Sequence, residues 1–439
     1  MNVPVLLLKY LELRWNEHRS AQALARSRLR KFRKLVRYVA ARSPYYAGII
    51  RARGIDYRSC VPEDFPVLTK RILMEHFDEI VTTPDVTKEG IAEFLSRSHD
   101  TRERYKNTYV VLHTSGSSGE IGYFVYSPAD WARGYALFSR LHASVPRRTI
   151  AYYAATQGHF AGISLFLSCQ ESFLKLLYRA RSFEINGPLQ PVLDGINAFQ
   201  PDILSGYPSA ITALAEKQLS GELAIAPSFV ECGGEPLGPE ERAIIRRAFG
   251  ERILDVYATT EHLLMGIGRP PHGIMDLYED DLILELHEDH TCVTNLFNRT
   301  LPLIRYRLDD VLEQLPAPSE GYPLRRAKGI VGRMEHAPRF LNRYGQEDFI
   351  CPIVLVELHV KNLRRFQLVL RDKTSFLLRV CLEQRITEEE RRQALSETRA
   401  SIRTILDQKE MSTVTFDLEE TDDLPADPRT GKFRLIVHP

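Results

Sequence analysis

The sequence predicts an α/β protein with a large N-terminal domain of helix-covered sheets, a small β subdomain within it, and a small α+β domain at the C-terminus. Three observations support this prediction: strand and helix patterns alternate from Tyr109 onward, residues 281–315 change to close-set β-rich segments, and a new α+β pattern begins after Arg333. Alternation of this kind is typical of a mostly parallel sheet covered by helices. We therefore place the large domain at residues 1–333 and the small domain at 334–439.

Length and composition are those of an ordinary globular protein. The chain has 439 residues, of which 44% are hydrophobic and 26% charged, and this excludes a disordered, collagen-like or coiled-coil protein. The 58 Lys and Arg residues nearly balance 57 Asp and Glu residues, so the net charge does not favour a nucleic-acid partner. No apolar stretch approaches the about 18 residues of a membrane span. We expect a cytoplasmic protein without a membrane span.

The six cysteines indicate buried thiols in a reducing compartment. They stand at positions 60, 169, 232, 292, 351 and 381, and we expect neither a Cys-x-x-Cys pair nor a His/Cys cluster among them. A zinc site assembled from distant residues stays open.

Apolar spacing and end signals predict the individual elements. The predicted strands are 109–112, 123–126, 149–155, 201–205, 227–231, 253–257, 363–371, 374–382 and 412–418. The predicted helices lie within 10–53 and at 127–142, 208–218, 238–248, 351–358 and 386–407. Ser127 and Asp130 have the spacing of a helix-capping box with Pro128 at the first helical position.

The first predicted helical segment is strongly basic. From Arg14 to Arg53 there are twelve Lys or Arg residues and one acidic residue, Glu17. One interpretation is a membrane-surface or nucleic-acid patch. The other is a solvated helix face whose apolar residues, among them Phe32 and Val36, pack inward at helical spacing. We favour the second interpretation.

Four motifs could carry chemistry. Residues 113–120, HTSGSSGE, form a loop of glycines and hydroxyl residues that suits a polyphosphate, because such a loop brings backbone N–H groups close to an anion. Residues 255–262 and 302–311 place carboxylates and tyrosines after predicted strands, where ligands of parallel sheets usually bind. Residues 428–434, PRTGKFR, form a tail with one lysine. Read separately, each motif is also compatible with an ordinary loop or strand end.

Together, the order and spacing of these motifs resemble the adenylate-forming superfamily of acyl-CoA synthetases, adenylation domains and luciferases. TSGSSGE is similar to the phosphate loop of that family, YATTE to its YGxTE motif, RYRLDD to its YRTGD-type motif, GRMEH to its hinge, and PRTGKFR to its terminal motif. The opening segment, with DFPVLTKRIL, resembles the phenylacetate–CoA ligase branch. The resemblance covers essentially the whole chain.

The resemblance implies Mg²⁺-ATP-dependent activation of a carboxylic acid to an acyl-adenylate. The residues it implies for ATP binding are Thr114, Ser115, Gly116, Ser117, Ser118, Gly119, Gly233, Gly234, Glu235, Tyr257, Thr260, Asp310 and Arg333. In this scheme Tyr257 packs on adenine and Asp310 holds the ribose. Thr260 contacts the α-phosphate and Glu261 binds the metal.

The resemblance also implies a mobile C-terminal domain that turns about a hinge at Glu335. Lys432 would enter from this domain to touch the α-phosphate and the acyl oxygen, and would leave before acyl transfer. For the acid pocket we name His159, Gly162, Tyr207 and Ala258, because they flank the pocket segments of the family. Family analogy favours an aryl or arylacetic acid.

Several alternatives remain open at this stage. Our first hypothesis for the acyl acceptor is coenzyme A, and the second is a carrier-protein thiol or an amine. Glu120 stands where the family has a loop lysine, and this places a negative charge beside the phosphates. A third hypothesis is therefore a degenerate nucleotide-binding protein. A homodimer is compatible with the sequence.

Overall fold

A computed structural model gives the architecture of most of the chain. It describes residues 2–114, 121–141, 148–170, 173–269, 274–316, 323–328, 337–356, 358, 360–424 and 435–437. Several predicted site residues, namely Ser115, Gly116, Ser117, Ser118, Gly119, Arg333, Glu335 and Lys432, lie outside these ranges, as does Glu120. The predicted domain boundary at 333/334 also falls outside them.

The described residues form thirteen α-helices and twenty strands. The helices are α1 (Val3–Asn16), α2 (Ala21–Ala40), α3 (Pro44–Arg53), α4 (Lys70–Glu75), α5 (Phe77–Ile80), α6 (Lys88–Arg97), α7 (Pro128–Ala136), α8 (Ala161–Gln170), α9 (Leu189–Phe199), α10 (Pro208–Ser220), α11 (Pro239–Phe249), α12 (Pro352–Val356) and α13 (Glu388–Gln408). The strands are β1 (Val110–His113), β2 (Tyr123–Tyr126), β3 (Arg148–Ala154), β4 (Tyr178–Glu184), β5 (Ile203–Gly206), β6 (Phe229–Gly233), β7 (Ile253–Thr259), β8 (Leu263–Gly268), β9 (Ile274–Leu277), β10 (Leu282–Leu286), β11 (Thr291–Asn295), β12 (Tyr306–Leu308), β13 (Glu313–Leu315), β14 (Arg325–Lys328), β15 (Arg339–Leu341), β16 (Glu347–Phe349), β17 (Leu363–Leu370), β18 (Ser375–Leu382), β19 (Thr415–Glu420) and β20 (Ile436–Val437).

The α/β class predicted from the sequence is confirmed. A nine-stranded sheet has the order β13-β14-β9-β8-β7-β6-β5-β3-β4. The strands from β4 to β7 run parallel, and those from β7 to β13 pair antiparallel. The parallel half brings the carboxyl ends of β5, β6 and β7 to one edge, which is where ligands of such sheets bind.

The β-rich stretch at 281–315 divides between two sheets. Strands β10, β11 and β12 form a separate antiparallel sheet, as the sequence indicated. Strand β13, at the end of this stretch, instead pairs with β14 at the edge of the large sheet. The prediction of one small sheet over the whole of 281–315 was therefore wrong for β13. The elements that were not predicted are helices α4, α5, α6, α8 and α9 and strands β4, β8, β9, β14, β15 and β16.

The basic segment predicted to be helical, residues 10–53, contains α2, α3 and the second half of α1. Helix α1 begins earlier than predicted, at Val3. Phe32, Val36 and Val39 are buried, which confirms that one face of α2 packs inward. Ser127 Oγ accepts a hydrogen bond from the N–H of Asp130 and so caps α7 as predicted. A capping box of Thr387 and Glu390 starts α13.

Buried ion pairs fix α1 and α2 to an acidic loop, Glu279 to Asp281. Lys9 of α1 pairs with Asp281, and Lys31 of α2 lies 2.6 Å from the same carboxylate. Burial opposes ionisation of Asp281, but the two ammonium groups outweigh it and hold its pKa well below the usual range. Because unpaired charges are costly inside a protein, this network determines which face of α1 points inward.

The C-terminal strands form a unit with its own core. Strands β19, β18, β17 and β20 make a four-stranded sheet, and α13 packs on it through Ile402 and Leu406. Lys409 is 2% exposed and forms a 3.0 Å ion pair with Asp348. Its ammonium also donates to the carbonyl oxygens of Ile185 and Gly187 in the large domain. This buried contact joins the unit to the large domain.

All six cysteines are buried thiols outside any disulfide bond, as predicted. The expectation of no His/Cys cluster is corrected, because the β10–β11 turn brings ligand atoms of His287, His290 and Cys292 within 4.8 Å of one another. The N–H of His287 donates to the carbonyl of His290, so hairpin pairing places the two rings side by side. None of the helices in the described ranges combines the length and apolar character needed to cross a bilayer.

Candidate active site

A cavity of about 740 Å³ opens at the carboxyl edge of the parallel strands. Its inner end is lined by the residues that follow these strands, together with the end of β1. These residues are Thr114, Gly206, Tyr207, Gly233, Gly234, Ala258, Thr259, Thr260 and Glu261. Residues of two predicted motifs, 113–120 and 255–262, therefore meet in one place, although they are far apart in the sequence.

Glu261 lies in the tight hairpin loop between β7 and β8. Thr259 pairs with Leu263, so the loop has three residues, and Leu263 closes it with a φ of +58°. The hydroxyl of Tyr126 lies 2.8 Å from the carbonyl oxygen of Thr260 and 3.0 Å from that of Glu261. The loop is thereby held with both side chains on the cavity wall.

The Glu261 carboxylate is buried and has cationic and phenolic neighbours. Burial raises the pKa of its carboxyl group, and the ammonium of Lys70 opposes this rise. The hydroxyl of Tyr306 donates to Glu261 Oε1 at 3.4 Å. A buried carboxylate on the cavity wall is suited to a hard cation, because the charge of the cation would offset the cost of burial.

His262, next in the chain, is fully buried. Burial lowers the pKa of its ring to about 3, so it is neutral near pH 7. Both ring nitrogens lack a hydrogen-bond partner among the described residues. Its ring packs edge-on against Tyr306, which indicates a structural role.

Lys70 is a site residue that sequence reasoning missed. The Leu68 backbone pairs with the strand around Tyr306: its N–H donates to the Arg305 carbonyl and its carbonyl accepts from the Arg307 N–H. This pairing sets the start of α4 beside the cavity, and Lys70 Nζ donates to Thr114 Oγ1 at 3.3 Å. The segment containing Lys70 was noticed only as part of a family resemblance. Only the folded chain shows its proximity to Glu261.

Thr114 marks the base of the predicted phosphate loop. Its N–H donates to the Gly122 carbonyl, and its Oγ1 accepts from the Gly122 N–H at 3.0 Å. These bonds close the chain on either side of residues 115–120. Lys70 therefore contacts the chain at Thr114, directly before residues 115–120.

The predicted adenine and ribose residues lie together. The hydroxyl of Tyr257 donates to Asp310 Oδ2 at 2.9 Å. Glu235, also predicted here, accepts from the N–H of Ser209 and from the Cys351 thiol at 3.4 Å. Its carboxylate is thus engaged between α10 and the C-terminal unit, while Gly233 and Gly234 are on the cavity wall.

Three of the four predicted acid-pocket residues line the cavity: Gly162, Tyr207 and Ala258. A Cβ atom at Gly162 would meet the Tyr152 hydroxyl, so a larger residue there would displace the end of the Tyr152 side chain. His159 is placed elsewhere. It is buried against Phe94, and its Nε2 lies 3.0 Å from Ser98 Oγ, so its ring takes part in packing.

Beyond these residues the cavity continues between helices and becomes apolar. Its walls there come from α1, α7, α8 and the segment before β4, and include Leu6, Leu7, Tyr10, Tyr135, Phe138, Leu141, Leu165, Phe166, Cys169, Leu177 and Tyr178. Leu7, Tyr10 and Leu177 are partly exposed, at 46%, 41% and 44%. The cavity therefore runs from Glu261 to the protein surface at α1.

Comparison with solved structures identifies the architecture. It is that of the adenylate-forming acid–CoA ligases, the class that the motifs resemble. 2-Hydroxyisobutyryl-CoA ligase, in complex with its acyl-adenylate and CoA in the thioesterification state, aligns over 95% of this chain and 89% of its own, with a TM-score of 0.61 and 16% identity. The same ligase in its postadenylation state aligns over the same shares with a TM-score of 0.58 and 16% identity.

Sequence relatives match this chain only in part. Protein CapK of Staphylococcus aureus is 22% identical over 69% of this chain and 66% of its own length. Indoleacetate–lysine synthetase of Pseudomonas savastanoi is 31% identical over 27% of this chain and 31% of its own, and phenylacetate–coenzyme A ligase of Pseudomonas putida is 28% identical over 32% and 36%. The chain thus spans less than two-thirds of each relative's length. No protein-family model matches it.

Proposed function

We propose that this protein activates a carboxylic acid with ATP to an acyl-adenylate and then transfers the acyl group to the thiol of coenzyme A. The observation that carries the proposal is the single cavity shared by Thr114, Thr260 and Glu261 with Gly162, Tyr207 and Ala258. A triphosphate at the first set and a carboxylic acid at the second would meet at the sheet edge.

The chemical difficulty is the attack of a carboxylate on an α-phosphate, because both are anions. Positioned cations that meet the developing charge are the usual solution. Lys70 supplies one such charge within the described site, and Lys432 is proposed to bring another. This arrangement of positive charges supports an active enzyme over the hypothesis, based on Glu120, of a degenerate nucleotide-binding protein.

The site also fits Mg²⁺. Glu261 offers a buried carboxylate, and Thr114 and Thr260 offer hydroxyl oxygens on the same cavity wall. Oxygen donors of this kind are what Mg²⁺ prefers, usually with one or two carboxylates and substrate phosphates. Bound there, the ion would supply charge compensation to the phosphates.

The cavity favours an acid with a large apolar body. At about 740 Å³, it falls within the ~300–1,000 Å³ range of drug-sized ligand sites. Tyr152 and Phe166, stacked with ring centroids 5.1 Å apart, form an aromatic wall suited to the aryl acids that family analogy favours. The extension towards α1 leaves room for a longer apolar group.

The deciding experiment is ATP–pyrophosphate exchange over a panel of carboxylic acids, followed by product analysis with and without coenzyme A. Acid-dependent exchange is expected, together with thioester formation. Absence of exchange with every aryl and long-chain acid would contradict the proposal.

An amine is the second candidate acceptor. The supporting observation is the 31% identity to indoleacetate–lysine synthetase, the highest among these sequence relatives, although it extends over only 121 residues. Supplying lysine and other amines to the same assay, in place of coenzyme A, would reveal amide formation.

Lys70→Ala is expected to raise the Michaelis constant for ATP and slow adenylation. A hydrogen bond to a charged group contributes about 1.5 kcal/mol or more, so the loss should be roughly tenfold. Steady-state pyrophosphate exchange at varied ATP measures it. Lys217→Ala is the matched control, because Lys217 pairs with Glu222 far from the cavity. Unchanged ATP dependence in Lys70→Ala would remove Lys70 from the site.

Leu165→Trp is expected to discriminate against bulky acids. Leu165 lines the apolar part of the cavity, and overfilling a packed site costs about 1–3 kcal/mol. Exchange with long or polycyclic acids should fall about tenfold, while that with small acids stays near wild type. Leu219→Trp, at an exposed leucine outside the cavity, is the control. Equal loss for small and large acids would place the acid elsewhere.

A further inference from the structure

The outer face of α1 is apolar and uncovered. In the described part of the chain, eleven large apolar side chains are exposed, and five of them are on this one helix: Leu7, Leu8, Tyr10, Leu11 and Trp15. Leu8, Leu11 and Trp15 are 69%, 62% and 71% exposed. Isolated exposed leucines are common, but a contiguous group of this kind marks an interaction surface.

Ion pairing on the opposite face of α1 fixes this orientation. Lys9 and Asn16 are buried on the inner face, where they bind Asp281 and Asp280. Leu8, Leu11 and Trp15 lie on the other side of the helix at spacings of three and four residues. The helix cannot turn its leucines inward without breaking the buried ion pairs.

A row of exposed cations on α2 accompanies this face. Arg26, Arg30, Lys34 and Arg37 recur at intervals of three and four residues and are exposed. The two helices meet at a depression lined by Leu8 of α1, Lys34 of α2, Arg133 and Arg299, and its carboxylates, Glu12 and Asp281, are paired with Lys31. The apolar face is thus bordered by positive charge.

The acid cavity opens beside the same face. Leu7 and Tyr10 of α1 line its outer end, together with Leu177. Leu176, next to Leu177, is 68% exposed and extends the apolar surface. The mouth of the cavity and the apolar face of α1 therefore form one continuous surface.

We propose that α1, with the cationic row of α2, docks this protein onto an anionic lipid bilayer, with the cavity mouth facing the lipid. Helices that lie in the membrane interface combine Leu and Trp on one face with Lys and Arg beside it. The bordering cations match the negative surface of such a bilayer. Docking in this orientation gives an acid with a lipid-like tail a direct path to Glu261, a consequence that rests on the proposed function.

Vesicle binding by the full chain tests the docking without any assay of activity. Vesicles of phosphatidylcholine alone and with added phosphatidylglycerol are sedimented with the protein at low and high salt. Binding is expected only with the anionic lipid, and salt should weaken it. Of the two tryptophans, Trp15 is 71% exposed and Trp131 is 2% exposed, so a blue shift of emission on vesicle addition reports insertion at α1.

The double variant Leu8→Asp/Leu11→Asp should lose vesicle binding by roughly tenfold or more, since interfacial affinity follows the apolar area buried. Arg26→Glu/Arg30→Glu should lose the preference for anionic lipid. Both should retain pyrophosphate exchange with a water-soluble acid, because none of these residues lines the cavity. Leu219→Asp and Arg246→Glu/Arg247→Glu, on other exposed surfaces, are the matched controls.

Two results would overturn the docking while leaving the proposed function intact. One is exchange activity in a protein that neither sediments with anionic vesicles nor shifts its Trp15 emission. The other is a dimer, seen by light scattering, that Leu8→Asp/Leu11→Asp converts to a monomer, since a second copy would then cover α1.

Discussion

Glu261→Gln should reduce acid-dependent pyrophosphate exchange by about 10² or more, as expected when charge compensation in the transition state is lost. The amide keeps the shape of the carboxylate and can still accept from the Tyr306 hydroxyl, so only the charge is removed. Burial raises the pKa of the Glu261 carboxyl, which means that the folded protein disfavours its charged form. The variant should therefore melt at the wild-type temperature or above it.

This combination of lost activity with unreduced stability separates a metal ligand from a packing residue. Glu184→Gln is the matched control: its carboxylate accepts from the N–H of Thr156 and of Asn186 outside the cavity. It should keep exchange near the wild-type rate. Wild-type exchange in Glu261→Gln at limiting Mg²⁺ would contradict the metal assignment, and unfolding of the variant would indicate a structural role.

The sequence was most informative where strands of the parallel sheet end in a motif. Strands β5, β6 and β7 were predicted within two residues of their observed ends, because a buried apolar run followed by Gly or Thr is a strong strand signal. Helix α8 was missed because its apolar residues continue around the helix, and a short apolar run without periodicity does not distinguish helix from strand. Strand β4 carries arginines at alternate positions, which hid its pattern.

Site residues were predictable when one local motif held them and unpredictable when tertiary pairing did. Glu261 and Thr260 lie in a hairpin that the motif itself encodes. Lys70 reaches the cavity only because Leu68 pairs with the strand at Tyr306, and no local pattern reveals that pairing. His159 is the opposite case. Its position beside a family pocket segment predicted a pocket residue, but its side chain is buried in the core and hydrogen-bonds to Ser98.

Lys432→Ala should strongly slow one half-reaction and spare the other. Removing a positioned donor from the adenylation transition state typically costs about 2.7–4 kcal/mol, or about 10²–10³ in rate. Pyrophosphate exchange should fall by this factor. Transfer from a synthetic acyl-adenylate to coenzyme A begins after that step and should proceed near the wild-type rate.

The described residues support delivery of this lysine from the C-terminal sheet. Leu435, three residues further on, is buried, and its carbonyl accepts from the N–H of Leu368, which begins the pairing of β20 with β17. We therefore propose that Lys432 acts from the C-terminal unit and not from the large domain.

Lys373→Ala is the control, because Lys373 is a lysine of the same unit that pairs with Glu347 at the surface and should matter little. The buried Lys409–Asp348 pair suggests a further comparison. Lys409→Met should loosen the contact with the large domain and disturb both half-reactions together, since it acts on the placement of the whole unit. If Lys432→Ala behaves like Lys409→Met, with both half-reactions falling in a folded protein, its role is structural. If only exchange is lost, the ammonium acts on the adenylation step itself.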